Sequence, residues 1–263
     1  MRRYPLIRLF LAFLMTLAFS VPVQAGAVKA AVAANFTTAM REIATGFERA
    51  TDHTVLLSFG STGTLYAQIL NGAPFAVFLA ADQERPRLLA QAGQAERPFT
   101  YAVGKLALWS RRPGFVDAQG QVLTQGAFTH LAIANPKTAP YGLAAMEVLE
   151  RLGLKAILAP RLVQGDSIAQ ARQFVATGNA ELGFVALAQV LLDPSGSRWD
   201  VPQALYTPIR QDAVLLQAGT HQPAARALVD YLKGTEARAI IQRFGYGEWP
   251  RTTVQVKCVV MKP

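Results

Sequence analysis

The sequence predicts an α/β fold in two lobes, each built on a mostly parallel sheet flanked by helices. Three observations carry that prediction. From Val28 onward, short apolar runs alternate with longer amphipathic stretches, the pattern of parallel strands joined by helices. Turn-rich breaks at Arg111-Arg112-Pro113-Gly114 and Pro194-Ser195-Gly196-Ser197 divide the series into sets. The only cysteine, Cys258, excludes an internal disulfide, so a chain of 263 residues must rely on a packed core.

Taken in order, residues 28–34 read as a buried strand. Residues 37–50 read as a helix, because Ala39, Met40, Ile43 and Phe47 recur at helical spacing. The unit then repeats. Residues 54–59 are β-branched or apolar at most positions, Gly60-Ser61-Thr62-Gly63 punctuates them, 65–70 reads as a helix and 75–80 as a third strand. The apolar run 101–110 reads as one further strand, and the chain is expected to cross between lobes at the turn-rich break after it. The second set comprises strand 131–134, helix 143–152, strand 162–164, helix 168–177 and strand 181–185. Strand 209–217 brings the chain back, and 224–244 supplies the closing helices. The first lobe is thus assigned 26–107 with 212–263 and the second 108–211, hinged by two crossovers. In the tail, Val254, Val256 and Cys258 alternate like a strand with no assignable partner.

At the start of the chain, Arg2, Arg3 and Arg8 precede an apolar run from Leu9 to Phe19, shorter than the roughly 20 residues a membrane span needs. Val23-Gln24-Ala25 follows, a small-residue cleavage pattern, so 1–25 reads as a secretory signal peptide and the protein is expected to be periplasmic. Its removal takes three arginines and no acids, lowering the net charge from +9 to +6. The remaining cations are scattered and form no stripe interleaved with aromatics, which argues against nucleic acid as a partner.

Four segments share one local grammar, in which a strand ends, small or hydroxyl residues follow and a helix begins. They are Ala34-Asn35-Phe36-Thr37, Gly60-Ser61-Thr62-Gly63, Pro140-Tyr141-Gly142 and Gly165-Asp166-Ser167-Ile168. The first N–H groups of a helix lack internal partners and carry the positive end of the helix dipole, so an anion is stabilised there without a formal cation. Any one such site is ordinarily a helix cap and nothing more. Two on each side of the expected crossing point to an anion or small polar ligand. Asp166, the only acid in these segments, is expected to cap the helix that follows it. An enzyme reading would start from Ser61, but its segment lacks the first glycine of a nucleophile elbow and no general base is evident. His53, His130 and His221 have no metal-ligand spacing. The chain is therefore read as a non-enzyme without a cofactor.

The same residues carry a resemblance. Ala33-Ala34-Asn35-Phe36-Thr37-Thr38-Ala39-Met40, Phe59-Gly60-Ser61-Thr62-Gly63 and Ala139-Pro140-Tyr141-Gly142 resemble signature segments of periplasmic molybdate-binding proteins. Gly183-Phe184-Val185-Ala186-Leu187 and Phe244-Gly245-Tyr246-Gly247 are similar to later landmarks, so the likeness runs from Val28 to Gly247. It implies the two-lobed periplasmic binding protein fold and capture of molybdate or tungstate by neutral donors in the cleft. It also implies delivery to the membrane permease of an ABC transporter with a cytoplasmic ATPase, and a monomeric protein. Sulfate is the alternative ligand. Carried residue by residue, the resemblance implies Asn35, Ser61, Tyr141 through its phenol, and Ile168 and Ala34 through their backbones. Many members have serine at Asn35 and some tyrosine at Ala186, whose hydroxyl Tyr141 would replace. Ala76 departs from an aspartate common in the family.

Overall fold

A computed structural model describes residues 25–126 and 128–248; the signal-like segment and the alternating tail at Val254, Val256 and Cys258 lie outside the described residues. Two five-stranded sheets organise the chain. In the first lobe β1 (Ala27–Ala33) leads through a short 3-10 turn, Ala34–Phe36, into helix α1 (Thr37–Thr51). Strand β2 (Thr54–Gly60), α2 (Thr62–Leu70), β3 (Val77–Leu79), α3 (Glu84–Gln91) and β4 (Phe99–Gly104) follow. The second lobe takes β5 (Leu106–Ser110), a short α4 (Val122–Gln125), β6 (Leu131–Ala134), α5 (Pro140–Arg151) and α6 (Lys155–Leu158). It continues with β7 (Leu162–Gly165), α7 (Ile168–Ala176), β8 (Leu182–Ala186) and β9 (Ser197–Asp200). Strand β10 (Ile209–Leu215) returns to the first sheet, and α8 (Pro223–Lys233) and α9 (Thr235–Arg243) pack against it.

The sheets run β2-β1-β3-β10-β4 and β7-β6-β8-β5-β9. In each, three neighbouring strands are parallel, and the strand that enters straight after a crossing, β10 or β5, is antiparallel to both its neighbours. A mostly parallel sheet needs cover on both faces, which explains why the central strands read as continuous apolar runs: β3, β5, β6 and β8 are buried at every position.

Three expectations need correction. The run 101–110 is not one strand: it divides at Lys105, and its halves belong to different sheets, so the crossing precedes both residue 107 and the Arg111 turn. Two buried strands in succession leave an unbroken apolar signal, and only Gly104-Lys105 marks the change. The return falls within 201–208, ahead of residue 212. Ser197 opens a strand rather than completing a loop, since β9 pairs with β5 and buries Trp199. Helix α3, where the sequence reading assigned no element, contributes Leu89 to the small cluster of Ala31, Leu65 and Phe78.

The lobes meet along the carboxyl ends of the parallel strands, where α/β sheets bind ligands. The Gly63 N–H donates to the Thr138 carbonyl across the junction (2.8 Å). Arg85, held by Asp82, donates to the Lys137 carbonyl (3.3 Å). Ala33, Ala34 and Ala81 of the first lobe pack into the apolar core of the second.

Candidate functional site

All four helix starts reach one place. A small cavity is lined by Ala33, Ala34 and Asn35, by Gly60, Ser61 and Thr62, by Ala139, Pro140 and Tyr141, and by Ile168, with Ala81 between them. The structure thus brings Ala34, Asn35, Ser61, Tyr141 and Ile168 together, two segments from each lobe. Ala34 and Asn35 are the first residues of their turn, Thr62 and Ile168 open α2 and α7, and Tyr141 is second in α5 behind Pro140. At these positions the N–H groups have no acceptor within their own helices. Pro140 suits the first position because it has no N–H to leave unpaired. Close packing sets the approach of α5: a Cβ on Gly142 would lie 2.1 Å from the Ala134 carbonyl oxygen.

Among the described residues, no Asp, Glu, Lys, Arg or His lines the cavity. Ser61, 5% exposed, caps α2: its Oγ accepts from the Thr64 N–H (3.3 Å) and shares a proton contact with Thr64 Oγ1 (2.7 Å). When Thr64 donates in that contact, the Ser61 hydrogen is left for the cavity. Thr62 Oγ1 accepts from the Ala81 N–H (3.0 Å) and fixes the floor. Asp166 is exposed and outside the cavity, and it does not cap α7; Ser167, extended at the cap position, accepts from the Gln170 N–H instead.

Behind the cavity lies a buried polar cluster that sequence reasoning missed in part. Asn35 Nδ2 donates to Gln211 Oε1 (2.9 Å) and to Tyr246 Oη (3.2 Å), so both its amide hydrogens are spent inside the protein and its backbone N–H is what remains. Tyr246 Oη donates to the Asn35 carbonyl (2.9 Å), and Tyr101 Oη shares its hydrogen between the Ala80 carbonyl and Gln211 Oε1, both at 3.0 Å. Gln211 Nε2 donates to Tyr141 Oη (3.1 Å). The Tyr141 phenol stands against Gly104 and accepts from Gln211, so its hydroxyl joins this cluster, and Tyr141 also lines the cavity. Burial pushes the hydroxyls of Tyr101, Tyr141 and Tyr246 well above the usual phenol range, which keeps all three neutral. Gln211 lies between Arg210 and Asp212 at the polar start of β10, so no sequence signal set it apart; Tyr246 sat within a recognised landmark without an assigned role.

The arrangement is a pocket of neutral donors at the positive ends of four helices. Such a site holds an anion that offers only acceptors, and it offers no carboxylate to take a proton from the ligand.

The profile of the family described as bacterial extracellular solute-binding protein matches residues 28–247. The chain is 61% identical over 229 residues to the molybdate-binding protein ModA of Azotobacter vinelandii, covering 85% of this chain and 91% of that protein. It is 52% identical over 237 residues to the molybdate-binding protein ModA of Rhodobacter capsulatus, covering 89% of this chain and 94% of the relative. Among solved structures, the periplasmic molybdate-binding protein of Azotobacter vinelandii superposes with a TM-score of 0.82 at 43% identity, over 85% of this chain and all of that one.

Proposed function

The chain belongs to the bacterial extracellular solute-binding proteins and, within them, to the molybdate-binding group, and from that premise we propose that it captures molybdate or tungstate and hands it to an ABC transporter. The observation that supports this reading best is the convergence of four helix starts, two from each lobe, on one cavity free of carboxylates. The ligand donors are the backbone N–H groups of Ala34, Asn35, Tyr141 and Ile168, with Thr62 added, and the Ser61 hydroxyl. Hydrogen bonds that involve a charged group contribute roughly 1.5–3 kcal/mol each, so about six donors give on the order of 10–18 kcal/mol before dehydration and ordering are subtracted. Several kcal/mol of such costs leave micromolar to nanomolar binding.

A permanently deprotonated tetrahedral dianion needs donors only, whereas hydrogen phosphate keeps a proton that wants an acceptor. Sulfate shares the charge and shape of molybdate and must be excluded by cavity size. The protein works in the periplasm after loss of residues 1–25, as a monomer, without a cofactor and without catalysis, and its closed form is read by a membrane permease driven by a cytoplasmic ATPase. Isothermal titration of the mature chain with molybdate, tungstate, sulfate and phosphate tests this, alongside an Asn35→Ala, Ser61→Ala double variant. The expected result is one-to-one molybdate and tungstate binding, weakened in the variant and absent for sulfate. Silence toward every oxyanion sinks the reading.

A further inference from the structure

We propose that Gln211 is a positioning residue that couples lobe closure to oxyanion capture, acting through Tyr141; this rests on the oxyanion reading above. Gln211 is fully buried in β10, a neutral amide between the exposed Arg210 and the buried Asp212. A buried amide without partners is costly, so the groups that satisfy it indicate what it is there to hold. Its two ends face different lobes. Oε1 accepts from Asn35 Nδ2 (2.9 Å) and Tyr101 Oη (3.0 Å), both in the first lobe. Nε2 donates to Tyr141 Oη (3.1 Å), which arrives on α5 from the second lobe.

Tyr141 is then tied at both ends of its own residue. Its phenol is bonded to the first lobe, and its backbone N–H stands at the start of α5, where the cavity is lined and no intrahelical acceptor exists. Separation of the lobes breaks the Gln211–Tyr141 bond and withdraws that N–H from the anion in one movement. The contact is built beside the hinge. Gly104 is the last residue of β4 before the crossing, and a Cβ there would lie 2.1 Å from Tyr141 Oη and 2.5 Å from Gln211 Nε2. Gly104 pairs with Ile209 at the start of β10, so both crossings flank the bond. The glycine is required by space, since its φ is not positive. An anion bound to Tyr141 N–H and a closure bond made by the same residue stabilise each other, and their joint loss is felt on release more than on capture.

The test uses the full mature chain with sodium molybdate, reading association and dissociation rates by stopped-flow protein fluorescence. Gln211→Met keeps the length of the side chain and removes the amide; Tyr141→Phe removes only the hydroxyl, so it stands as the second variant should Gln211→Met fold poorly. Tyr141→Phe, which loses one hydrogen bond, is expected to release molybdate about tenfold faster, and Gln211→Met, which also strips Asn35 Nδ2 and Tyr101 Oη of an acceptor, at least as fast, with association in both within about twofold of the parent. The double variant is expected to release no faster than the worse single one, because both changes delete the same bond. A merely structural residue would not produce that split or that non-additivity. Parent-like release in Tyr141→Phe, or losses that add in the double variant, overturn the proposal. If the parent chain binds neither molybdate nor tungstate, the oxyanion reading itself fails; if the parent binds and both variants match it, only the role of Gln211 does.

Discussion

Two cavities open side by side where the lobes meet, sharing Ala81 and Pro140, and their chemistry separates them more than their size. The larger is bordered by Asp82, Glu84 and Glu147 as well as Arg210. The smaller has no charged side chain among the described residues and is ringed by helix starts. Volume would choose the first. A dianion in it would face three carboxylates, and like unit charges at 4 Å repel by about 4 kcal/mol even at an effective dielectric of 20. In the second it meets N–H dipoles that are already ordered and need no counter-charge. An anion site can thus be defined by which groups are left out.

Placing a carboxylate in the small cavity breaks the contrast most severely. Ser61→Asp should weaken molybdate binding by about a thousandfold or more by titration calorimetry, since the new charge stands among the donors. A smaller loss would mean the anion sits elsewhere. Asn35→Ala keeps the backbone donor but strips Gln211 and Tyr246 of a partner. It should cost about tenfold to thirtyfold in affinity and lower the melting temperature.

The pH dependence sharpens the same contrast. Burial raises the pKa of Tyr101, Tyr141 and Tyr246 above the ordinary 10.0, so the folded state keeps protons that the unfolded chain releases at that pH. Stability is therefore full below pH 10.0 and is lost as pH rises beyond it, by up to about 1.4 kcal/mol per unit for each phenol. Chemical denaturation at pH 8 and pH 11 measures that slope, and molybdate affinity should stay flat from about pH 6 to 9. The least effect is expected across the boundary. Glu147→Gln alters the larger cavity, where its carboxylate accepts from the Thr207 N–H, and should leave the molybdate Kd within about twofold. A tenfold change would move the site into that cleft.

What the sequence made legible was what is local. A strand, a small or hydroxyl residue and a helix start are written in consecutive residues, so Ser61 and Ile168 could be placed at helix starts before any contact was known. The partners of Gln211 are Tyr141, Tyr101 and Asn35, separated from it by 70, 110 and 176 residues, and no local pattern announces them. The crossing at Lys105 escaped for a related reason, because burial makes β4 and β5 look like one strand although they serve different sheets. Tyr141 was legible at a helix start, but its bond to Gln211 across the lobes was not.

The central claim is that the anion sits among the four helix starts. The most direct test is a crystal structure of the mature chain with tungstate, located by its anomalous scattering. The account predicts a single strong peak bounded by Ala34, Ser61, Tyr141 and Ile168, with the oxygens within hydrogen-bond reach of their N–H groups. A peak in the neighbouring cleft beside Asp82 and Glu147 would contradict it.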